Sequence, residues 1–249
     1  MYDEASKILN QAHSIDGNNF IIQNNLALSK RREGKTLEAL SIFTQTKPAK
    51  KNNASIKLSI ASCLSEIGNF EKAVEIFNEL IHQNQSLFKA KTSLGMHYLK
   101  YGKLKEGWLL LKNRLNLETA NINYDNFPIT IWDQQELNDK NILIWTEQGI
   151  GEEILISTMI NDVIKKTKSI TLLCSERMIP LYKRSFKKIN VIERKEPLAS
   201  KAIDSSLDYQ MSLSELGLLL RPDIQSFSET TKAPLRANKI LKEKLIKKY

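Results

Sequence analysis

Three glycines set the period of the first half of the chain. Gly34, Gly68 and Gly102 recur at a step of 34 residues. Ala27, Ala61 and Gly95 keep the same step, as do Ala39, Ala73 and Gly107, and Phe43, Phe77 and Leu111. Small residues recur where two helices must approach closely, and large ones where a gap must be filled. A glycine at the turn between paired helices supplies the positive φ that a tight turn needs. The first half is therefore expected to be a stacked array of helix pairs.

The period and the phrases "GNFEKAVEIF" and "GKTLEALSIF" resemble the tetratricopeptide repeat. Full repeats are expected over 20–53, 54–87 and 88–121. Ala5 and Leu9 lie one step before Ala39 and Phe43, so residues 1–19 read as the second helix of an earlier repeat. Either the chain is cut from something longer, or this is a lone capping helix. A solenoid of this kind offers a concave surface to a peptide or partner domain. Asn18, Asn24 and Asn25 are candidate groove residues, weighed against ordinary solvated or capping roles.

Past Leu115 the repeat fades. Residues 122–140, rich in Asn and Asp, read as an extended linker in which Trp132 is an anchor packed in a seam. From 141 to 225 short apolar runs alternate with helical spacing: "NILIWTEQ", "EEILISTMINDVIKKTK", "SITLLCS", "RMIPLYKRSFKK", "INVIE" and "YQMSLSELGLLL". Alternation of this kind implies a parallel sheet. The expected class is an α-helical solenoid followed by a Rossmann-like parallel α/β half, with a basic tail over 226–249.

The turn Gln148-Gly149-Ile150-Gly151-Glu152 joins the first strand to its helix. Its glycines allow a sharp turn and close approach of a ligand, and the helix start would suit an anion. Yet Glu152 and Glu153 already complement the helix dipole. The turn also lacks the third glycine of a dinucleotide fingerprint and the GK[ST] of a P-loop. Gln148, Gly149 and Gly151 are thus candidate substrate-binding residues, with a purely structural turn as the alternative.

The wider order of residues resembles bacterial proteins in which tetratricopeptide repeats precede a glycosyltransferase-like domain of the heptosyltransferase type. The resemblance rests on Glu106, Gly107, Trp108 and Arg114; on Trp132 and Asp133; on Glu147 to Glu152; and on Asp208, Tyr209, Ser212 and Leu213. It implies a GT-B architecture in which this α/β half is the acceptor side of a cleft. It further implies that the carboxylate at Glu152 is the general base taking the acceptor hydroxyl proton. The family pattern has Asp there; Glu reaches one methylene further. The second domain, which would bind the nucleotide-sugar donor, is missing. The chain is accordingly expected to hold no cofactor itself and to be inactive alone. The competing reading is a protein–protein interaction scaffold with a degenerate α/β domain.

Composition bounds the rest. Lys and Arg number 37 against 28 Asp and Glu, a net charge of +9, but the lysines are scattered and no nucleic-acid motif accompanies them. Two distant cysteines, Cys63 and Cys174, suggest reduced thiols and a cytoplasmic location. The three histidines form no metal-ligand cluster, and no metal is expected. Expected partners are a protein or peptide in the repeat groove and a glycan acceptor, without a membrane span or nucleic acid.

Overall fold

A computed structural model describes residues 2–47, 53–116, 128–147, 149–194, 206–227 and 234–248. The chain divides into two compact units, residues 1–97 and 98–249.

The first unit is helical. It comprises α1 (Tyr2–Ile15), α2 (Phe20–Arg32), α3 (Thr36–Gln45), α4 (Asn53–Glu66), α5 (Phe70–Gln83) and the first turns of α6 (Phe88–Lys100). Gly34 and Gly68 adopt φ of 81° and 88° between the helices of a pair, the backbone that favours glycine there. Asn19 caps α2, its side chain accepting from the backbone N–H groups of Ile21 and Ile22. Ala27, Ala39, Phe43, Ala61, Ala73 and Phe77 are all buried, so the small and large rows of the period are the rows of the core. Arg31, which pairs with Glu66 at 2.6 Å, ties successive hairpins, and Lys57, which pairs with Glu79, ties the two helices of one hairpin. His97 is buried, stacks on Phe70 and shares a hydrogen bond with Ser65, a structural role. The array is tetratricopeptide-like.

The second unit begins inside α6 and continues with α7 (Leu104–Leu111), which runs into a 3-10 turn, Lys112–Asn116. Gly102 sits at φ 77° between α6 and α7. A Cβ on Gly107 would meet Leu99 at 2.7 Å, so a small residue is obligatory in this pair. Then follow β1 (Thr130–Ile131), β2 (Asn141–Trp145), α8 (Ile150–Ser157), α9 (Ile160–Val163) and β3 (Ser169–Cys174). The rest is α10 (Ile179–Ser185), β4 (Asn190–Glu193), β5 (Tyr209–Ser212), α11 (Glu215–Leu220) and α12 (Lys239–Lys248). The five strands form one sheet in the order β1-β5-β2-β3-β4, and every pair is parallel. Side chains alternate across it. Ile142, Ile144 and Leu172 enter the main core, while Leu143, Trp145 and Leu173 pack with Leu115, Ile129 and Leu207 on the other face.

Three expectations need adjustment. The helical period after Gly151 does not give one long helix: α8 ends at Ser157 and α9 restarts at Ile160. The Ser157 and Thr158 hydroxyls donate to the Ile154 and Leu155 carbonyls, an alternative to the helical ladder at the break. The expected linker contributes a strand, β1, and Trp132 is an element of the second unit's own core, its indole N–H donating to the Gln135 carbonyl. The basic tail carries helix α12, with no buried residue. Residues 117–127, most of the junction between the expected third repeat and the linker, lie outside the described residues. No described helix is long and apolar enough to cross a membrane.

Candidate functional site

β5 lies beside β2 on the side away from β3, so the strand order reverses between β2 and β5. In parallel sheets the carboxyl ends of strands flanking such a reversal open a crevice in which ligands bind. The residues leaving β2 are Thr146, Glu147 and Gly149, followed by α8. Those leaving β5 are Ser212, Ser214 and Glu215.

Glu147 is the hub of this edge. Its side chain is only 5% exposed, and its two oxygens are both engaged. One is 2.5 Å from Arg114 Nε, and the other accepts from Ser214 Oγ at 2.7 Å. Ser214 is in turn 2.8 Å from Ser212 Oγ, and the Ser212 N–H donates to Glu215 Oε2. Lys112 pairs with the other Glu215 oxygen at 3.2 Å. Arg194 donates to the Thr146 and Glu147 carbonyls, closing the network from beyond β4. The end of α7 and its 3-10 extension thus feed two cations into the end of the sheet.

Glu152, the candidate general base, stands at the rim. Its side chain is 51% exposed and Arg114 Nη1 lies 3.2 Å from its carboxylate. Gly149 takes φ 57°, which favours glycine, and leads directly into α8. Neither Gly149 nor Gly151 would bring a Cβ within 4 Å of a neighbour, so the backbone here is open to an approaching molecule. Gln148 lies outside the described residues. Arg114 therefore joins Glu147 to Glu152, and Ser212 joins them through Ser214. Three parts of the resemblance meet at one edge.

Other parts do not reach it. Asp208 accepts from the Asn141 backbone N–H at 2.8 Å and from Lys140 at 3.1 Å, at the opposite, amino ends of β5 and β2. These donors, the backbone N–H first, hold its carboxyl below the ordinary value. Trp108 is architectural: its indole lies against Gly217 and donates to the Arg221 carbonyl at 3.0 Å. Asn24 and Asn25 of the first unit are half-buried and exposed respectively, and Asn18 is exposed. At about 100° per residue, Asn25 and Leu28 fall about 150° from the middle of the buried Leu26–Ala27 face of α2 and Asn24 about 110°, and Leu28 packs against the helical core. One and two repeats on, the positions of Asn24 and Leu28 hold Leu58 and Ser62, then Thr92 and Met96.

The crevice chemistry is acidic with bound cations. No three His, Cys, Asp or Glu side chains among the described residues are placed to hold a metal. Arg114 is already shared by two carboxylates, which disfavours a phosphate at this point. Glu153, one residue beyond the candidate base, is buried and its carboxyl is pushed up by desolvation, opposed by Thr146, Arg194 and Ser175. A folded-state value raised above the unfolded one gives a contribution that is full below the ordinary carboxylate range, near pH ~4.3, and lost as pH rises through the folded value. Glu153→Gln is thus expected to be more stable than the parent at pH 8, with the gap closing by pH 4. Urea unfolding at the two pH values checks this; an unchanged gap would refute it.

The buried role of Glu147, and the parts of Ser214, Glu215, Lys112 and Arg194, are not read from the local sequence. Only the Ser-x-x-Glu spacing of Ser212 and Glu215, that of a capping box, carries a local signal. The rest are contacts between residues tens of positions apart.

No family model matches the chain. A segment of 96 residues is 29% identical to Protein FlbA of Caulobacter vibrioides, covering 37% of this chain and 16% of that protein. The chain thus matches well under two thirds of that relative's length. Among solved structures it is similar to YrrB, a TPR protein with an unusual peptide-binding site, at 16% identity and TM-score 0.41, covering 49% of this chain and 62% of that one. Against MamA the values are 16% and 0.39, with 47% and 68% covered. Against a tetratricopeptide repeat protein from Parabacteroides merdae they are 24% and 0.39, with 49% and 48% covered.

Proposed function

We propose that the helical unit is a scaffold that binds a protein or peptide. The observation that carries this reading is the row Asn24, Leu28, Leu58, Ser62, Thr92 and Met96. The period repeats it on the first helices of successive hairpins. Met96 is 54% exposed, and the other five are partly accessible. A row of mixed amide, hydroxyl and apolar side chains, without a charge, suits an extended segment of modest polarity. Two buried free cysteines are compatible with a reducing compartment such as the cytoplasm.

A second reading is supported by the polar edge of the sheet. There the α/β unit is Rossmann-like and forms the acceptor side of a glycosyltransferase-like cleft. Glu152 is exposed beside two glycines that leave the backbone open, at the reversal of strand order. The acceptor hydroxyl would give its proton to Glu152 as its oxygen attacks the anomeric carbon and the nucleotide phosphate leaves. The nucleotide sugar would bind a domain outside this chain, so this chain alone would bind acceptor without turnover.

One experiment separates the two. The purified chain is applied to a peptide array and a glycan array, together with the pair Asn24→Ala and Met96→Ala and with Glu152→Gln. The scaffold reading expects peptide retention that falls roughly tenfold in the paired variant and is untouched by Glu152→Gln. The acceptor reading expects the reverse for glycans. Peptide retention indifferent to the row, or no retained peptide, removes the first; glycan retention indifferent to Glu152→Gln, or none, removes the second.

A further inference from the structure

The excess positive charge of the chain sits in two short segments. Ten of the 37 Lys and Arg residues, and one of the 28 Asp and Glu, lie in 179–188 and 234–248. The rest of the chain is neutral overall, with 27 residues of each sign. The two segments are distant in sequence, and the fold joins them. Arg184 Nε donates to the Arg236 carbonyl at 2.7 Å, and the Arg236 N–H donates to Ser185 Oγ at 3.0 Å. Leu235 packs against the main core. The approach to α12 is thus fixed to the end of α10, where Lys183, Lys187 and Lys188 are exposed.

Asn238 caps α12, its side chain accepting from the Leu241 N–H at 3.2 Å. All ten residues of the helix are exposed. Ile240, Leu241, Leu245 and Ile246 each keep 56–66% of their surface in water. An isolated helix this short is marginal in water, so its stability has to come from a surface it lies against. The described residues bury none of it.

The charge pattern selects that surface. At about 100° per residue, Leu241 and Leu245 share one face. Lys248 falls about 40° from its middle, and Lys242 and Lys244 about 80° to either side. Ile240 and Ile246 flank it at about 120°, Lys239 and Lys247 at about 140°, and Glu243, the one acid, at about 180°. With the leucines turned down, three lysines can reach sideways along the plane while Glu243 points away. A second copy of this helix would meet like charge. A nucleic acid would leave the apolar side chains in water. A rigid acidic groove would have to match apolar and basic side chains that alternate around a wide arc. Anionic lipid meets both, because its headgroups rearrange around lysines while its acyl boundary takes the apolar side chains.

We propose that α12 and the end of α10 dock the chain on an anionic lipid bilayer, with α12 lying in the interface and Lys183, Lys187 and Lys188 facing the headgroups.

Co-sedimentation of the purified chain with vesicles tests it. Vesicles of phosphatidylcholine with about one third phosphatidylglycerol are expected to bind at least about tenfold more tightly than phosphatidylcholine alone, and less tightly as salt is raised. Leu241→Ser with Leu245→Ser leaves the charge unchanged and is expected to weaken binding roughly tenfold. Lys242→Gln with Lys244→Gln is expected to weaken it by at least as much. Lys7→Gln with Lys72→Gln, exposed lysines of the helical unit, removes the same charge and is expected to leave binding unchanged. The α12 variants alter only exposed residues and should unfold at the parent's temperature. Four results would overturn the proposal: no preference for the anionic vesicles, binding indifferent to the leucine pair, an equal loss from the Lys7 and Lys72 pair, or a short single-stranded RNA held as tightly as the anionic vesicles.

Discussion

Arg114→Met is expected to lower the unfolding free energy of the α/β unit by about 3 kcal/mol. The reason is the partner it leaves behind. Glu147 is nearly enclosed, and without Arg114 it keeps Ser214 but has lost the cation that balances it. Breaking a buried pair by removing one member costs far more than the pair itself contributes, because an uncompensated charge stays in a poor solvent. The double variant Arg114→Met with Glu147→Gln should therefore recover most of the loss, the coupling exceeding about 1 kcal/mol. Urea unfolding of the four forms measures it. A single-variant cost below that coupling would mean that the carboxylate is hydrated in solution and the network is a surface feature.

Trp108→Ala is the second large effect, expected at about 3 kcal/mol, near the lower end for loss of a packed tryptophan because the residue is half-buried. The indole fills the space over Gly217 so closely that a Cβ there would approach it to 2.5 Å. Gly217→Ala should for this reason destabilise the parent by roughly 1–3 kcal/mol through overpacking. In the Trp108→Ala background the same alanine should become neutral or stabilising, since glycine inside a helix costs about 1 kcal/mol relative to alanine. That change of sign is the decisive reading. If Gly217→Ala costs the same in both backgrounds, Trp108 does not pack on α11 as described.

The helical half was legible because its constraints are local and repeated. A glycine forced to positive φ, an alanine at a close approach and a phenylalanine in a gap each recur at the same offset, so the register follows from a few residues. The strands were legible as apolar runs, and the turn after β2 as a pair of glycines. The break at Ser157 and Thr158 was not. Hydroxyls that fold back on the preceding turn leave the apolar period intact while interrupting the ladder. The hub at Glu147 was quoted as part of a motif, but its burial was hidden. A glutamate before a glycine turn reads as solvated until Arg114 and Ser214 arrive from distant positions.

The pairing of β1 with β5 has a kinetic consequence. Thr130 meets Tyr209 across about 80 residues of chain, and among the described strands β1 pairs with β5 alone. Its pairing with β5 and that of β5 with β2 each close a long loop whose entropy is spent before any bond is gained. The helix hairpins draw on neighbours a few tens of residues away. During synthesis they can therefore assemble while the sheet is still waiting for its last strand. The slow step of refolding is expected at the closing of that sheet edge, and stopped-flow fluorescence of Trp132 burial checks it.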